Sequence, residues 1–353
     1  MFAIIKAREY TQLLEEEKGN NGAAQTMENK TKLRLLYLYQ HLLRHTDAEH
    51  PLSTPQLIEV LDKQYGTPVN RNTLANDFKM LEQAGIHIEV IHSQQNKYYY
   101  DGRVFDAAEM KILIDAVASS KFITEKKSKE LIGKLLSLTT EDQASKFCRH
   151  VHVEGRVKSD NERGYYILDN INTAIDSSCK IKFQYAAYSV KKRKILRHNG
   201  EYYVVSPYAL VWDGDYYYVI GYSEKRKKVQ NFRLDRIYRT PELLPDEPAV
   251  PAPKDFDLAE YSRQVFRMFG TEEPVEVELL CRNYVMNAVI DHFGTGIPVE
   301  KADDDHFVIR PMVCASPTFY RWVFGWSGDM KILGPVNVLE EFKAMARKVL
   351  ETD

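Results

Sequence analysis

Two stretches of this 353-residue chain concentrate side chains able to do chemistry. The first is NRNTLANDFKMLEQAGIHI, residues 70–88. A helix from Asn70 to Ala84 turns Leu74, Phe78 and Leu81 (i, i+4, i+7) inward and leaves Arg71, Asn72, Thr73, Asn76 and Lys79 outward, on or near its N-terminal half. Arginine pairs bidentately with guanine and asparagine with adenine in the DNA major groove, and a recognition helix reads bases from its N-terminal half. The alternative for an isolated helix of this kind is a solvated polar face. The second stretch is VQNFRLDRI, residues 229–237, read as a strand. Arg233 and Arg236 are three apart, so on a strand they point to opposite faces and only one lines a pocket. Arg233 shares its face with Asn231 and Asp235; Phe232 and Leu234 take the other. Tyr185, Tyr208, Tyr217 and Tyr218 offer flat faces on which bases can stack beside a cation, the alternative being a tyrosine-rich core. An arginine inside a strand flanked by core residues is costly unless paired, which assigns Arg233 to function.

The elements around these residues follow from periodicity and punctuation. A helix over about Lys30–Arg44 groups Leu35, Leu36, Tyr39, Leu42 and Leu43. The next opens at Ser53-Thr54-Pro55-Gln56, a capping box with proline in the first turn, and ends at Gly66. After the third helix, IHIEVIH and NKYYYDG alternate as a hairpin that carries Lys97. Three helices and a hairpin in this order make a winged helix-turn-helix. Helices over Phe105–Ala118, entered through Asp106 and Glu109, and over Thr124–Leu138 form a helical bridge, and Tyr165–Ser177 is a further helix. From Cys179 to Ile237 short period-two strands suggest a small barrel. PDEPAVPAPKDFD is a proline-rich linker, and beyond it a β-α-β-β-α-β-α order indicates a ferredoxin-like split-βαβ domain. The expected organisation is therefore α+β and multidomain. It comprises a tail over 1–26 with a short helix at Tyr10–Lys18, the winged helix over 27–103, the bridge over 104–150, a strand-rich domain over 151–245, a linker over 246–256 and the C-terminal domain over 257–353.

Charge is uneven along the chain. Residues 27–103 carry nine Lys/Arg against nine Asp/Glu, so phosphate contacts there fall to few residues, such as Lys30, Lys32, Arg44, Lys97 and Arg103. Residues 179–239 carry fourteen against five, and residues 255–353 ten against seventeen. A basic middle beside an acidic end either meets an anion or pairs across an interface. Cys148, Cys179, Cys281 and Cys314 lie far apart with no CxxC, against structural zinc or disulfides and in favour of a reducing compartment. No apolar run is long enough to span a bilayer, and Lys6 and Arg8 interrupt what would be a secretory signal, so a cytoplasmic protein without a membrane partner is expected. P-loop, GxGxxG, HExxH and GxSxG motifs are absent. The pairs His41/His45 and His150/His152 lack further ligands for a metal, and Asp303-Asp304-Asp305 lacks the spacing of a calcium loop. Neither an enzyme nor a cofactor is expected.

Residues 70–88 resemble the recognition helix of DeoR/YafY-like regulators, whose usual pattern is R-x-T-[hydrophobic]-x-R-D-[hydrophobic]-x-x-L-x-x-x-G. Arg71, Thr73, Asp77, Leu81 and Gly85 fit it, and Asn76 replaces the second arginine. The stretch YYVVSPYALVWDGDYYYVIGYSEKRKKVQNFRLDRI is similar to WYL-domain regulators. Pro207, Tyr208 and Leu210 and the run Phe232–Ile237 match, while Tyr217-Tyr218-Val219 replaces the naming Trp-Tyr-Leu triplet. The acidic end resembles the extension that often follows WYL domains. This resemblance implies an Sm-like barrel that binds an anionic ligand, nucleic acid or nucleotide, and switches an attached DNA-binding domain. Residues 27–103 are thus expected to bind double-stranded operator DNA through Arg71, Asn72, Thr73, Asn76, Lys79 and Lys97. The sensor is expected to hold its ligand with Tyr185, Ser206, Tyr208, Tyr217, Arg233 and Arg236, in a homodimer joined by the acidic domain. The competing expectation is a single-stranded nucleic-acid binder or defence-associated adaptor that works through the basic barrel.

Overall fold

A computed structural model describes residues 23–149, 158–269 and 273–351. The expected helix at Tyr10–Lys18, the His150/His152 pair and the side chains of Lys30 and Lys32 lie outside the described residues. The fold is mixed α+β, with helices first and several sheets after them. It divides into two compact units, Met1–Ala118 with Ser128–Glu154 and Ser119–Lys127 with Gly155–Asp353.

In the first unit, α1 (Ala23–His45), β1 (Leu52–Ser53), α2 (Thr54–Lys63) and α3 (Arg71–Gln83) precede a hairpin of β2 (Ile88–Ile91) and β3 (Lys97–Tyr100). The three strands form an antiparallel sheet in the order β1-β3-β2. Leu38 and Leu42 of α1, Leu57 and Leu61 of α2, and Leu74, Phe78 and Leu81 of α3 meet Ile88 and Tyr100 in one core. The helix starts are those that the residue types dictate. The Ser53 N–H donates to Gln56 Oε1 at 2.8 Å, with Pro55 in the first turn, and Asn70 Oδ1 accepts the Thr73 N–H at 2.9 Å. Gly66 and Gly85 terminate α2 and α3 with φ of 61° and 81°, a backbone region open to glycine at no steric cost. Helices α4 (Ala107–Ser119) and α5 (Glu125–Leu136) share a core of Met110, Ile114, Ala118 and Ile132. A further helix, α6 (Glu141–Arg149), has no counterpart in the sequence reading and buries none of its residues.

In the second unit, α7 (Gly164–Asp176) packs Ile167, Ile171 and Ala174 against one face of a five-stranded antiparallel sheet. Its strands are β4 (Cys179–Gln184), β7 (Tyr202–Asp213), β8 (Tyr216–Ser223), β9 (Lys228–Arg233) and β10 (Glu242–Pro248), in the order β10-β4-β7-β8-β9. A small hairpin, β5 (Ala186–Tyr188) and β6 (Lys194–Leu196), stands beside it. The closed barrel expected from the strand pattern is not formed among the described residues. Strand β9 ends at Arg233 in a 3-10 turn, Leu234–Arg236, and both β9 and β10 remain edges. The single bridge Tyr185↔Ile237 is the remnant of closure. The proline-rich linker is also corrected in part. Its first residues, 245–248, complete β10, where Pro248 pairs with Cys179 beyond the Leu243 and Leu244 pairs with Ile181 and Lys180, because an edge strand tolerates proline.

After α8 (Leu258–Gln264) come β11 (Val275–Glu276), β12 (Glu278–Arg282), α9 (Met286–Phe293), β13 (Val299–Lys301), β14 (His306–Ile309), β15 (Met312–Val313), α10 (Pro317–Phe324), β16 (Met330–Gly334) and α11 (Val336–Leu350). Four of these strands make an antiparallel sheet in the order β13-β14-β12-β16, over a core that includes Leu279, Val289, Phe307, Phe319 and Ile332.

Candidate functional site

Helix α3 presents two different faces. Leu74, Phe78 and Leu81 are buried, whereas Arg71, Asn72, Asn76 and Lys79 are exposed. Thr73 is half-buried and its hydroxyl donates to Asn70 Oδ1 at 3.1 Å, so it serves the helix start. Lys97 is exposed at the beginning of β3. The element that fixes this helix escaped the sequence reading. Asp77, 2% exposed on the inner face of α3, accepts two hydrogen bonds from Arg34 of α1, from Nε at 2.7 Å and from the terminal nitrogen at 2.8 Å. That bidentate bond to Asp77 raises the Arg34 pKa against the opposing effect of burial. The available signal was position: Asp77 sits three residues after Leu74, on the apolar stripe, where a carboxylate needs a cation.

Arg103 is not a phosphate contact, as the sequence suggested. Its guanidinium donates to the carbonyls of Tyr100, Leu43 and Thr46 at 2.6, 2.6 and 2.7 Å, closing the C-terminus of α1. His41 is buried, its ring 4.4 Å from that of His45, and burial followed by the neighbouring imidazole lowers its pKa to about 4. Among the described residues no group of three His, Cys, Asp or Glu could hold a metal ion.

The second candidate site lies where β9 turns. Arg233 stands opposite Tyr218 of β8, its guanidinium carbon 3.4 Å from the centroid of the Tyr216 ring. Its Nε and a terminal nitrogen donate to the two Asp235 oxygens at 3.1 and 2.8 Å. Burial opposes the Arg233 charge, yet the bonded Asp235 carboxylate outweighs it and the pKa is raised. The Arg233 N–H donates to the Tyr185 hydroxyl at 3.0 Å, and Tyr185 is buried against Phe183, Tyr203 and Phe232. Burial pushes the Tyr185 phenol up to about 12, while Arg236 and Arg233 pull the other way.

The expected strand alternation fails beyond Arg233. Because residues 234–236 form a 3-10 turn, Asp235 reaches back to Arg233, and Arg236 is left half-buried without a carboxylate partner among the described residues. Tyr185, Arg233 and Arg236 therefore come together with Tyr218, one of the rings the sequence offered for stacking, and with Tyr216, which the sequence reading did not name. Ser206, Tyr208 and Tyr217 go elsewhere. Ser206 is fully buried, and its hydroxyl accepts the Val250 N–H at 2.9 Å. Tyr208 donates to the Pro251 carbonyl at 3.2 Å and packs on Phe256. Tyr217 packs edge-on against Phe122 and Trp212 on the core face of the sheet.

Comparison with known proteins bears on this second unit. Residues 166–241 match the WYL domain family. No curated protein matches the chain. Among solved structures, the proteasome accessory factor B/C (PafBC) of Arthrobacter aurescens is similar at 18% identity and a TM-score of 0.27, over 88% of this chain and 45% of that one. This chain thus spans less than half the length of that relative. A CRISPR Cas-related protein is similar at 12% identity and a TM-score of 0.36, over 94% of this chain and 86% of that one. Neither superposition is close enough to support an argument. Among the described residues no helix is long and apolar enough to cross a membrane.

Proposed function

We propose that this chain is a sequence-specific DNA-binding transcriptional regulator whose WYL domain senses an anionic ligand. The observation that carries this reading is the outward face of α3. Arg71, Asn72, Asn76 and Lys79 are exposed on a helix held from behind by three apolar residues and the Arg34–Asp77 pair. A rigid helix with free arginine and asparagine at its start is what major-groove readout requires. The preceding α1 and α2 and the β2–β3 hairpin, with Lys97 at its edge, support a winged helix-turn-helix of the DeoR/YafY-like kind. The sheet order β13-β14-β12-β16 supports a ferredoxin-like C-terminal domain, and exposed Phe324, Val349 and Leu350 offer it a dimer contact. A cytoplasmic homodimer without enzymatic activity or cofactor completes the proposal.

In the sensor, Arg233 is neutralised by Asp235 within its own chain, so Arg236 is the cation we assign to a nucleotide or oligonucleotide phosphate. Selection from a random duplex library tests the first half of this reading. A recovered motif whose binding weakens with Arg71→Ala and Asn72→Ala supports it, and recovery of no motif refutes it.

A further inference from the structure

Strand β9 has a partner, β8, on one side only, and its other edge is open. One hydrogen bond shows which residues offer their backbone to that edge. The Arg233 N–H donates to the Tyr185 hydroxyl, so Arg233 turns its backbone away from Tyr218, its partner on β8. Antiparallel neighbours alternate between bonded and non-bonded pairs, so Asn231 and Val229 share the outward orientation. Their outward N–H and C=O groups have no partner among the described residues. The opposite edge of the sheet is protected: β10 carries Pro245 and Pro248 and the charges of Glu242, Asp246 and Glu247. On β9 the only charge ahead of Arg233 is Lys228. An unprotected edge is a template for an added strand.

Val229 and Asn231 also line a groove of about 1200 Å³, above the range of roughly 300–1,000 Å³ usual for small-molecule sites. Met268, Phe269, Val275 and Val338 of the C-terminal region line it with them. The Asn231 side chain ties the two parts together, donating to the Met268 carbonyl at 3.3 Å and accepting from the Tyr261 hydroxyl at 2.9 Å. Met268 has φ of 49°, a costly conformation for a residue with a side chain, and its burial on Tyr218 and Ile220 holds it there. The next residue, Phe269, is 55% exposed. The groove is acidic. Glu273 and Glu341 have no cationic partner among the described residues, and Lys228 is the one cation among the described lining residues. Buried Tyr320 donates its hydroxyl to Glu341 Oε2 at 2.7 Å, which leaves the other carboxylate oxygen for a further donor. Nucleic acid is repelled by such a lining. A long basic side chain can lay its methylenes on Met268 and Phe269 and bring its cation to the carboxylates.

We propose that β9 takes up an extended basic peptide of a partner protein as an added strand along Val229 and Asn231, with its Lys or Arg side chains on Glu273 and Glu341. Fluorescence anisotropy on the full-length protein, with a labelled hexapeptide of alternating lysine and valine matched to the six residues of β9, tests it. The expected result is saturable binding, at least about tenfold tighter than that of a glutamate–valine hexapeptide. Methylating one alternate set of peptide amides should abolish binding and methylating the other set should not, because only one set faces β9. Glu273→Gln with Glu341→Gln should weaken binding by about tenfold and reduce its salt dependence. Val229→Pro should block binding with an unchanged melt, since an edge strand tolerates proline where the N–H points outward. No binding below about 1 mM overturns the proposal. So does tolerance of both methylated peptides, or full affinity in the double glutamine variant or in Val229→Pro. Concentration-dependent dimerisation that Val229→Pro abolishes, without peptide binding, overturns it in favour of a second copy at the edge.

Discussion

Removing the Arg233 guanidinium should damage stability before it damages recognition. The Arg233 and Asp235 side chains are 22% and 15% exposed, so the pair is mostly removed from water. Breaking a buried pair by deleting one partner costs about 3–5 kcal/mol, and the residual exposure here places Arg233→Ala near the lower bound, about 3 kcal/mol. Loss of the contact with the Tyr216 ring at 3.4 Å adds about 1 kcal/mol. In a unit of this size each kcal/mol moves the midpoint by about 2–4 °C, so Arg233→Ala should melt roughly 10 °C below wild type. Asp235→Asn should cost less, because the amide can still accept from the guanidinium. Replacing both residues by apolar ones of similar volume should recover most of the loss, since a buried pair and a well-packed apolar pair are nearly equivalent. Circular dichroism melts of wild type, Arg233→Ala, Asp235→Ala and the double alanine variant supply the double-mutant cycle. A melt of Arg233→Ala within 2 °C of wild type, together with lost ligand response, would show that Arg233 serves the ligand and that the Asp235 bond contributes little. Arg236→Ala should do the opposite, leaving the melt intact while abolishing phosphate-ligand binding in calorimetry.

Asp77→Ala should strand Arg34, and Arg34→Ala should strand Asp77; each should destabilise the first unit by about 3–5 kcal/mol in urea titration. Arg71→Ala and Asn72→Ala should each weaken binding to a selected duplex by about 1–3 kcal/mol with an unchanged melt, and an equal loss on random duplex would limit them to phosphate contact. Phe324→Glu with Val349→Glu should yield a monomer in sedimentation, and an intact dimer would place the interface elsewhere. His41 is protonated more readily unfolded than folded, so stability of the first unit should fall as pH drops from about 6.5 to about 4 and level off below that. The span corresponds to at most about 3 kcal/mol, and His41→Gln should remove the slope.

Local pattern was legible where one face of an element is dry. The Leu74–Phe78–Leu81 stripe, the capping residues Ser53, Gln56 and Asn70, and the alternation of Ile181 and Phe183 are short-range consequences of side-chain type. What the sequence does not display is pairing at long separation. Arg34 and Asp77 are 43 residues apart, and nothing local to either names the other. The same limit explains the barrel: period two identifies strands, but whether β9 meets β10 depends on the turn after Arg233. That turn also changed the site, by bringing Asp235 onto Arg233 and freeing Arg236. Ser206 and Tyr208 looked like pocket residues because they border the motif, yet both are bonded to the returning chain at Val250 and Pro251.

Those two bonds have a consequence for how the polypeptide can be divided. Strand β10 lies in the sheet, Val250 and Pro251 are fastened to β7, and Met268 packs with Tyr218 and Ile220 further on. Pro253, Lys254 and Asp255, between these attachments, are exposed. A backbone cut there should leave both pieces bound to each other, since the contacts on either side of the cut do not depend on the peptide bond. The position is accordingly a natural one for a split-fragment reporter or for inserting a fluorescent domain.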